Sequence, residues 1–260
     1  MNWTPSAAPW TPWKYAASCL FGQAGIGMFG GNDRDGRVND EYWDWEGHSW
    51  SLMPKPTGPN QWPPARTGAC MVNAFSSNIP GLWLFGGVDA SGNYCRDVWR
   101  SNNGGCAWQR VAERVAWTGR ENACGFVSGG ELASDNRLWI FGGYDGGDYR
   151  SDRAWSTADG ITWTQSTPVP SWAPRSLANI VSIGGHTYLF GGQTTGSVEL
   201  SDLWVSDDLQ AWTPVQAQIP PGAIAYAGAT VHRDGSAYIA GGTLDNKVWR
   251  LSPAPQLAGV

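Results

Sequence analysis

The sequence predicts an all-β fold built from five similar units, and composition supports this prediction at once. Glycine accounts for 35 of the 260 residues, close to twice its usual share of about 7%. Tryptophan, with 18 residues, outnumbers tyrosine and phenylalanine together, whereas charged residues make up only 15%. Glycine for turns and aromatic residues for half-buried pleated surfaces are typical of many short strands. Two sequence features recur at regular intervals and define the units.

The first recurring feature is an apolar run that ends in a pair of glycines. Starting from Gly31, the second glycines of successive pairs are 56, 56, 49 and 50 residues apart. A period of roughly 50 residues indicates a repeat architecture in which each unit is one small element of the fold. The run occupies residues 26–31, 82–87, 138–143, 187–192 and 237–242.

The second recurring feature is a pair of tryptophans that follows the glycine pair in four units. The first tryptophan lies 12 residues beyond the second glycine, and the other follows 7 to 9 residues later. We therefore expect four strands per unit: an inner strand, the apolar strand that ends in Gly-Gly, a third strand with the first tryptophan, and an outer strand with the second. Turn pairs such as Gly184-Gly185 and Asp234-Gly235 stand where strands must reverse. The tryptophans are Trp43, Trp99, Trp155 and Trp204, and then Trp50, Trp108, Trp163 and Trp212.

The glycine pair with two spaced aromatic residues resembles the motif of the kelch-repeat family, and the resemblance covers essentially the whole chain. It implies that each unit is a four-stranded blade of a β-propeller. The chain departs from the family in its frequent Trp where Tyr is more usual, and in Ala240 where the other units have Phe. The predicted fold is therefore an all-β, five-bladed kelch-type β-propeller, with residues 1–260 as one domain. The predicted blades are residues 14–53, 66–111, 120–166, 175–216 and 224–252, the last joined by residues 2–5.

The fifth unit is incomplete, because no second tryptophan follows Trp249. The missing outer strand is predicted at the other end of the chain, where Trp3-Thr4-Pro5 repeats the sequence Trp212-Thr213-Pro214. An N-terminal strand that closes the last blade would remove a free sheet edge.

The loops that enter the first strands should share a face with the loops between second and third strands. Four entering loops carry an aromatic residue followed by a basic one, which predicts a concave site for an anion and an aromatic or sugar ring. The alternative interpretation is structural: each arginine bonds carbonyls of a neighbouring blade as part of the repeat. The candidate ligand-binding residues are Trp13, Lys14, Arg37, Trp62, Arg66, Tyr94, Trp117, Arg120, Tyr144, Tyr149, Trp172 and Arg175.

Three functions are compatible with this basic, Trp-lined face. The first is a binding module for a small anionic or aromatic ligand or an acidic peptide; the others are an enzyme of the lyase, cyclase or isomerase type, and a multivalent lectin. No catalytic residue, metal site or cofactor is indicated. Cys19, Cys70 and Cys124 allow either a cluster of thiols or plain packing, and packing is favoured because small residues are needed where blades converge.

Charge and hydropathy exclude other classes of function. A net charge of −5 and a pI near 5.1 argue against nucleic-acid binding, which requires a basic patch. No run of about 18 apolar residues exists to cross a membrane, and the N-terminus has no features of a secretory signal. We expect a soluble, cytoplasmic protein whose partner is a small molecule or a peptide.

Overall fold

A computed structural model describes residues 9–10, 13–21, 25–58, 61–75, 77–129, 136–150, 153–215, 222–231, 234–242 and 248–252. In these ranges the secondary structure is almost entirely β, and the one helical element is the short 3₁₀ turn Thr195–Ser197. The described part of the chain contains no helix with the length and hydropathy of a membrane span.

Apart from two short ribbons, Arg66–Thr67 with Val88–Asp89 and Gln193–Thr194 with Val198–Glu199, the described strands form five sheets that follow one another along the chain, here called blades 1 to 5. In blades 1 to 4 the sheet order follows the chain order, and blade 5 has three described strands. The third-strand tryptophans lie where they were predicted, whereas Trp108, Trp163 and Trp212 immediately precede the outer strands. Blade 1 comprises Ala17–Phe21, Gly25–Phe29, Tyr42–Trp45 and Trp50–Leu52; blade 2 Cys70–Asn73, Leu82–Phe85, Val98–Ser101 and Gln109–Ala112; blade 3 Cys124–Val127, Leu138–Phe141, Ala154–Thr157 and Thr164–Gln165; blade 4 Asn179–Ile183, His186–Phe190, Leu203–Ser206 and Thr213–Pro214; blade 5 Ala227–Val231, Ala237–Gly241 and Val248–Leu251.

The strand predicted for residues 2–5, which includes Trp3, lies outside the described residues. Among the described residues, the last strand of blade 5 is Val248–Leu251, which pairs with the second strand from Ala237↔Leu251 to Ala240↔Val248. Completion of this blade by the N-terminus stays a prediction.

The chain divides into two compact units, Met1–Trp139 with Ser156–Thr164, and Ile140–Trp155 with Gln165–Val260. The core of the first unit joins blades 1 and 2, where Phe29 and Tyr42 pack with Leu84 and Trp108. The core of the second unit joins blades 4 and 5, where Phe190 and its neighbours contact Ile224 and Ile239. The second strand of blade 2, Leu82–Phe85, is buried at every position, as expected for a strand covered on both faces.

The glycine pair connects one blade to the next, which explains why it recurs. The amide of Gly31 donates a hydrogen bond of 2.9 Å to the carbonyl of Arg66, and Gly143 does the same to Arg175 at 2.8 Å. The preceding glycine must lack a side chain, because a Cβ on Gly30 would lie 2.4 Å from the Arg66 carbonyl oxygen. Further bonds of this kind join Gly87 to Arg120 and Gly192 to Ile224.

Candidate functional site

In each of three blades, the loop that enters the first strand pairs with the loop between the second and third strands. The pairs are Lys14 with Asn32, Arg66 with Asp89, and Ser176 with Gln193. The two loops therefore lie at one end of each sheet, as the strand order predicted. We call this end the loop end of a blade.

Arg66, a predicted ligand-binding residue, is 1% exposed. Its guanidinium forms a two-pronged ion pair with Asp97, with both N–O distances 2.7 Å. The same group donates to the carbonyl of Gly86 at 3.1 Å and, through Nε, to that of Pro64 at 3.2 Å. Asp97 in turn accepts from the indole of Trp99 at 2.6 Å. Arg66 thus connects the entering loop to the residue after the second strand, Gly86, and to the residue before the third strand, Asp97.

Blade 4 repeats this arrangement. Arg175 is buried and pairs with Asp202 through two bonds of 2.6 Å, and it donates to the carbonyl of Gly191 at 2.9 Å. Asp202 accepts from Trp204 at 2.7 Å. In blade 3, Arg120 is fully buried, and its Nε donates to the carbonyl two residues earlier, as in the other two blades.

Trp117 and Trp172 are also fully buried. The guanidinium of Arg120 lies 5.7 Å from the Trp117 ring centre, and that of Arg175 lies 5.6 Å from Trp172. The face predicted to hold an anion therefore does not expose the side chains of Arg66, Trp117, Arg120, Trp172 and Arg175. In blades 2 to 4 the structure thus favours the alternative interpretation, in which the Trp and Arg are part of the repeat. The carbonyls that Arg66 and Arg175 bond, however, belong to their own blades and not to a neighbouring one.

In blade 1 the residue equivalent to the buried arginines precedes Lys14 by one position. Lys14 pairs with Asn32 as Ser176 pairs with Gln193, so the position of the buried arginines is held by Trp13. Trp13 is half-buried and stacks on Trp10 with ring centres 5.8 Å apart. Lys14 is exposed, because it lies one residue after the position that the buried arginines hold in the other blades.

Three more predicted residues are spread over the first unit. Arg37 is exposed, and its backbone closes the loop around Asp33. Trp62 is half-buried and donates to the carbonyl of Asp40 at 2.7 Å. Tyr94 is half-buried at the loop end of blade 2.

The predicted residues Tyr144 and Tyr149 belong to a cluster in the second unit. Their ring centres are 5.2 Å apart, and the Tyr149 hydroxyl donates to Oε1 of Gln193 at 3.4 Å. The Tyr226 hydroxyl donates to the same oxygen at 3.4 Å. The cluster thus joins the loop ends of blades 3, 4 and 5, and we call it the tyrosine cluster. Burial, followed by the nearby Tyr144 and Tyr226, raises the pKa of Tyr149, so its hydroxyl is protonated at neutral pH, as in an unperturbed tyrosine.

Tyr226 was not among the candidate residues, and its backbone is unusual. It has a φ of 62°, which is sterically unfavourable for a bulky residue, and its side chain is 45% exposed. Leu177 in blade 4 and Tyr15 in blade 1 hold the corresponding left-handed position. Blade 2 has Gly68 there, and this glycine was the sequence signal that could have identified the position.

The cysteines support packing rather than reactivity. Burial raises the pKa of Cys19 to about 12, and Cys70 is buried with its Sγ 3.1 Å from the carbonyl oxygen of Ala123. Cys19 faces Gly27 across the sheet, whereas Cys70 faces Phe85, so the two are not equivalent in the repeat. The described residues contain no group of three or more His, Cys, Asp or Glu side chains that could hold a metal ion.

The buried ion pairs predict a loss of stability in acid. Burial alone would raise the pKa of Asp202, but the hydrogen bonds and charge of Arg175 outweigh it and hold the pKa below its usual value. Stability from the pair is therefore present above the unfolded pKa of about 3.9 and is lost as pH falls through the lower folded value. We expect the unfolding free energy, measured in urea, to fall more steeply below about pH 5 in the wild type than in Asp202→Asn. Parallel curves would contradict this assignment.

Comparison with known protein families supports the propeller fold. The family model described as KLHDC2/KLHL20/DRC7 Kelch-repeats domain matches residues 15–242. No curated protein matches the chain. The five sheets, together with this match, confirm the predicted fold class, an all-β kelch-type β-propeller of five blades. The chain belongs to the kelch-repeat family.

Proposed function

We propose that this chain is a binding module that holds a peptide segment of a partner protein on the tyrosine cluster. The observation that carries the proposal is the convergence of Tyr149 and Tyr226 on one oxygen of Gln193, with Tyr144 beside them. Both hydrogen bonds are 3.4 Å long and therefore weak. A peptide carbonyl or amide can replace them at little cost.

The chemistry of the cluster suits a peptide. A tyrosine ring offers a rigid apolar surface and a polar hydroxyl, which is why tyrosine is enriched at protein interfaces. Few rotatable bonds are fixed when such a side chain is covered. In addition, the side-chain nitrogen of Gln193 makes no hydrogen bond within the described chain, so it can donate to a bound carbonyl.

Charge favours a neutral or weakly basic segment over the anionic ligand that the arginine-rich loops suggested. The cation next to the cluster, Arg150, is paired with Asp145. The neighbouring Asp148 is an exposed carboxylate, and Glu199 lies opposite Gln193 in the adjacent two-stranded ribbon. With Arg66 and Arg175 already neutralised by aspartates, binding at the cluster should depend little on salt.

A displayed library of random peptides, selected on the wild-type protein, tests this proposal. The neutral or weakly basic peptides among those selected should bind Tyr149→Ala/Gln193→Ala at least about tenfold more weakly, the loss expected when a central interface anchor is truncated. The matched control, Lys14→Ala/Arg37→Ala, removes two exposed candidates in blade 1 and should bind normally. Loss of binding only in the control, or four to five peptides bound per chain, would contradict the proposal; the latter would indicate a repeated, lectin-like site.

The strained backbone of Tyr226 gives a separate prediction. Tyr226→Gly should raise the unfolding free energy by about 1 kcal/mol, because glycine adopts a positive φ without steric cost, and should abolish peptide binding. Tyr15→Gly removes the same strain at the equivalent position of blade 1 and should stabilise the protein while binding is kept. Urea denaturation and peptide binding are measured on both proteins, and equal binding by both would contradict a role for Tyr226.

A further inference from the structure

A pocket of about 710 Å³ lies along the outer strand of blade 2, Gln109–Ala112. Val111 and Ala112 of this strand line it, together with Ile161 from the hairpin before the outer strand of blade 3. The side chain of Ile161 is 57% exposed. Tyr94, Arg96, Glu113 and Arg114 complete the lining.

The two arginines of this pocket differ from the arginines of the repeat. Arg66 and Arg175 of the repeat each pair with an aspartate, as does Arg150 beside the tyrosine cluster, whereas no described carboxylate forms an ion pair with Arg96 or Arg114. Arg96 donates only to the backbone carbonyls of Val115 and Ala116, and its Nε is buried without an acceptor. Burial and then the charge of Arg114 lower the pKa of Arg96, which indicates that the two cations lie near each other.

The backbone of the pocket is also incompletely paired. The outer strand of blade 2 ends its sheet, and its described partner is the third strand alone. The register shifts between Arg110 and Ala112, which leaves Val111 outside the ladder. An edge strand with free N–H and C=O groups can pair with an added strand from another chain.

The outer strand of blade 4 lacks this combination. The pocket beside it, of about 240 Å³, is lined by Asp207 and Asp208 instead of arginines. Its strand consists of Thr213–Pro214, and proline removes a donor from an edge. Both the charge and the backbone therefore disfavour the same ligand there.

We propose that the pocket of blade 2 is a second binding site, which takes an extended peptide segment with alternating acidic and apolar residues. The segment adds to the free edge of Gln109–Ala112, its acidic side chains lie at Arg96 and Arg114, and its apolar side chains cover Val111 and Ile161. Alternation follows from strand geometry, because successive side chains point to opposite faces. The site is separate from the tyrosine cluster and does not depend on it.

A labelled peptide of alternating Glu and Val tests this site by fluorescence anisotropy. It should bind saturably to the wild type, and Arg114→Glu should weaken binding at least about tenfold, since reversal of one charge changes attraction to repulsion. Arg37→Glu reverses an exposed arginine elsewhere in the first unit and should bind as the wild type does. Because Arg114 is exposed, the melting temperature should not change.

Two further peptides separate the parts of the proposal. A Lys-Val peptide should not bind, and a Glu-Val peptide with methylated backbone nitrogens should bind at least about tenfold more weakly, because it cannot donate to the strand edge. The proposal is overturned by equal binding of the methylated peptide, by equal binding to Arg114→Glu, or by no saturable binding to the wild type.

Discussion

Replacement of Asp97 by alanine is expected to lower the unfolding free energy by about 3–5 kcal/mol, the cost of leaving a buried charge without its partner. Arg66 is 1% exposed and keeps only the two backbone carbonyls of Gly86 and Pro64 as acceptors. Equilibrium denaturation in urea measures the change.

Two comparisons make this expectation specific to the buried charge. Asp202→Ala breaks the same kind of pair, but the Asp202 side chain is 36% exposed against 14% for Asp97, so its effect should be smaller. Arg66→Met/Asp97→Ala removes both charges and should recover most of the stability, because an apolar replacement of a buried pair is often neutral. If Asp97→Ala lowers the unfolding free energy by less than about 1 kcal/mol, the pair contributes no more than a surface salt bridge does, and the expectation is wrong.

Gly142→Ala is expected to have the second large effect, a loss of about 3 kcal/mol or more from strain and overpacking together. The backbone of Gly142 has a φ of 62°, and a Cβ there would lie 2.2 Å from the carbonyl oxygen of Arg175. The neighbouring hydrogen bond from Gly143 to that carbonyl would have to shift. Thermal and urea unfolding of the variant measure the loss.

Gly196→Ala provides the matched control. Gly196 has a φ of 75°, but no atom lies within 4 Å of its would-be Cβ. The substitution should therefore show the backbone strain alone, about 1 kcal/mol. Equal effects of the two substitutions would mean that the contact with Arg175 contributes nothing, contrary to the role assigned to the glycine pair.

The fold could be predicted from the sequence because its requirements recur. The glycine pair supplies the close approach to the next blade, and the third-strand tryptophan marks a fixed place in the sheet. The glycine pair occurs five times and the tryptophan four times at regular spacing, so the spacing alone identifies them. The outer strand of blade 5 could not be tested in the same way, since residues 2–5 lie outside the described ranges.

The site could be predicted only in part, because residue type does not distinguish a buried arginine from an exposed one. A signal was present: units 2 and 4 have both the arginine and an aspartate two residues before the third-strand tryptophan, and unit 5 has neither. The joint occurrence of Arg66 with Asp97, and of Arg175 with Asp202, indicates an ion pair. Trp117 and Trp172 lie against the guanidinium groups of Arg120 and Arg175 and are buried with them.

The tyrosine cluster depends on distances that no spacing gives. Tyr149, Gln193 and Tyr226 come from three blades and meet only when the loop ends lie together. Tyr144 and Tyr149 were predicted as members of a loop face, but not as neighbours of Gln193 and Tyr226. The pocket at Arg96 and Arg114 was also not predicted, because it depends on a register shift in an outer strand.

The central claim is that a partner binds at the tyrosine cluster and not at the basic entering loops. Hydroxyl-radical footprinting of the protein, with and without a peptide selected on the wild type, measures directly which side chains the peptide covers. We predict protection of Tyr144, Tyr149 and Tyr226, with Lys14 and Arg37 labelled as in the free protein. Protection of Lys14 and Arg37 while the three tyrosines remain fully labelled would contradict the claim.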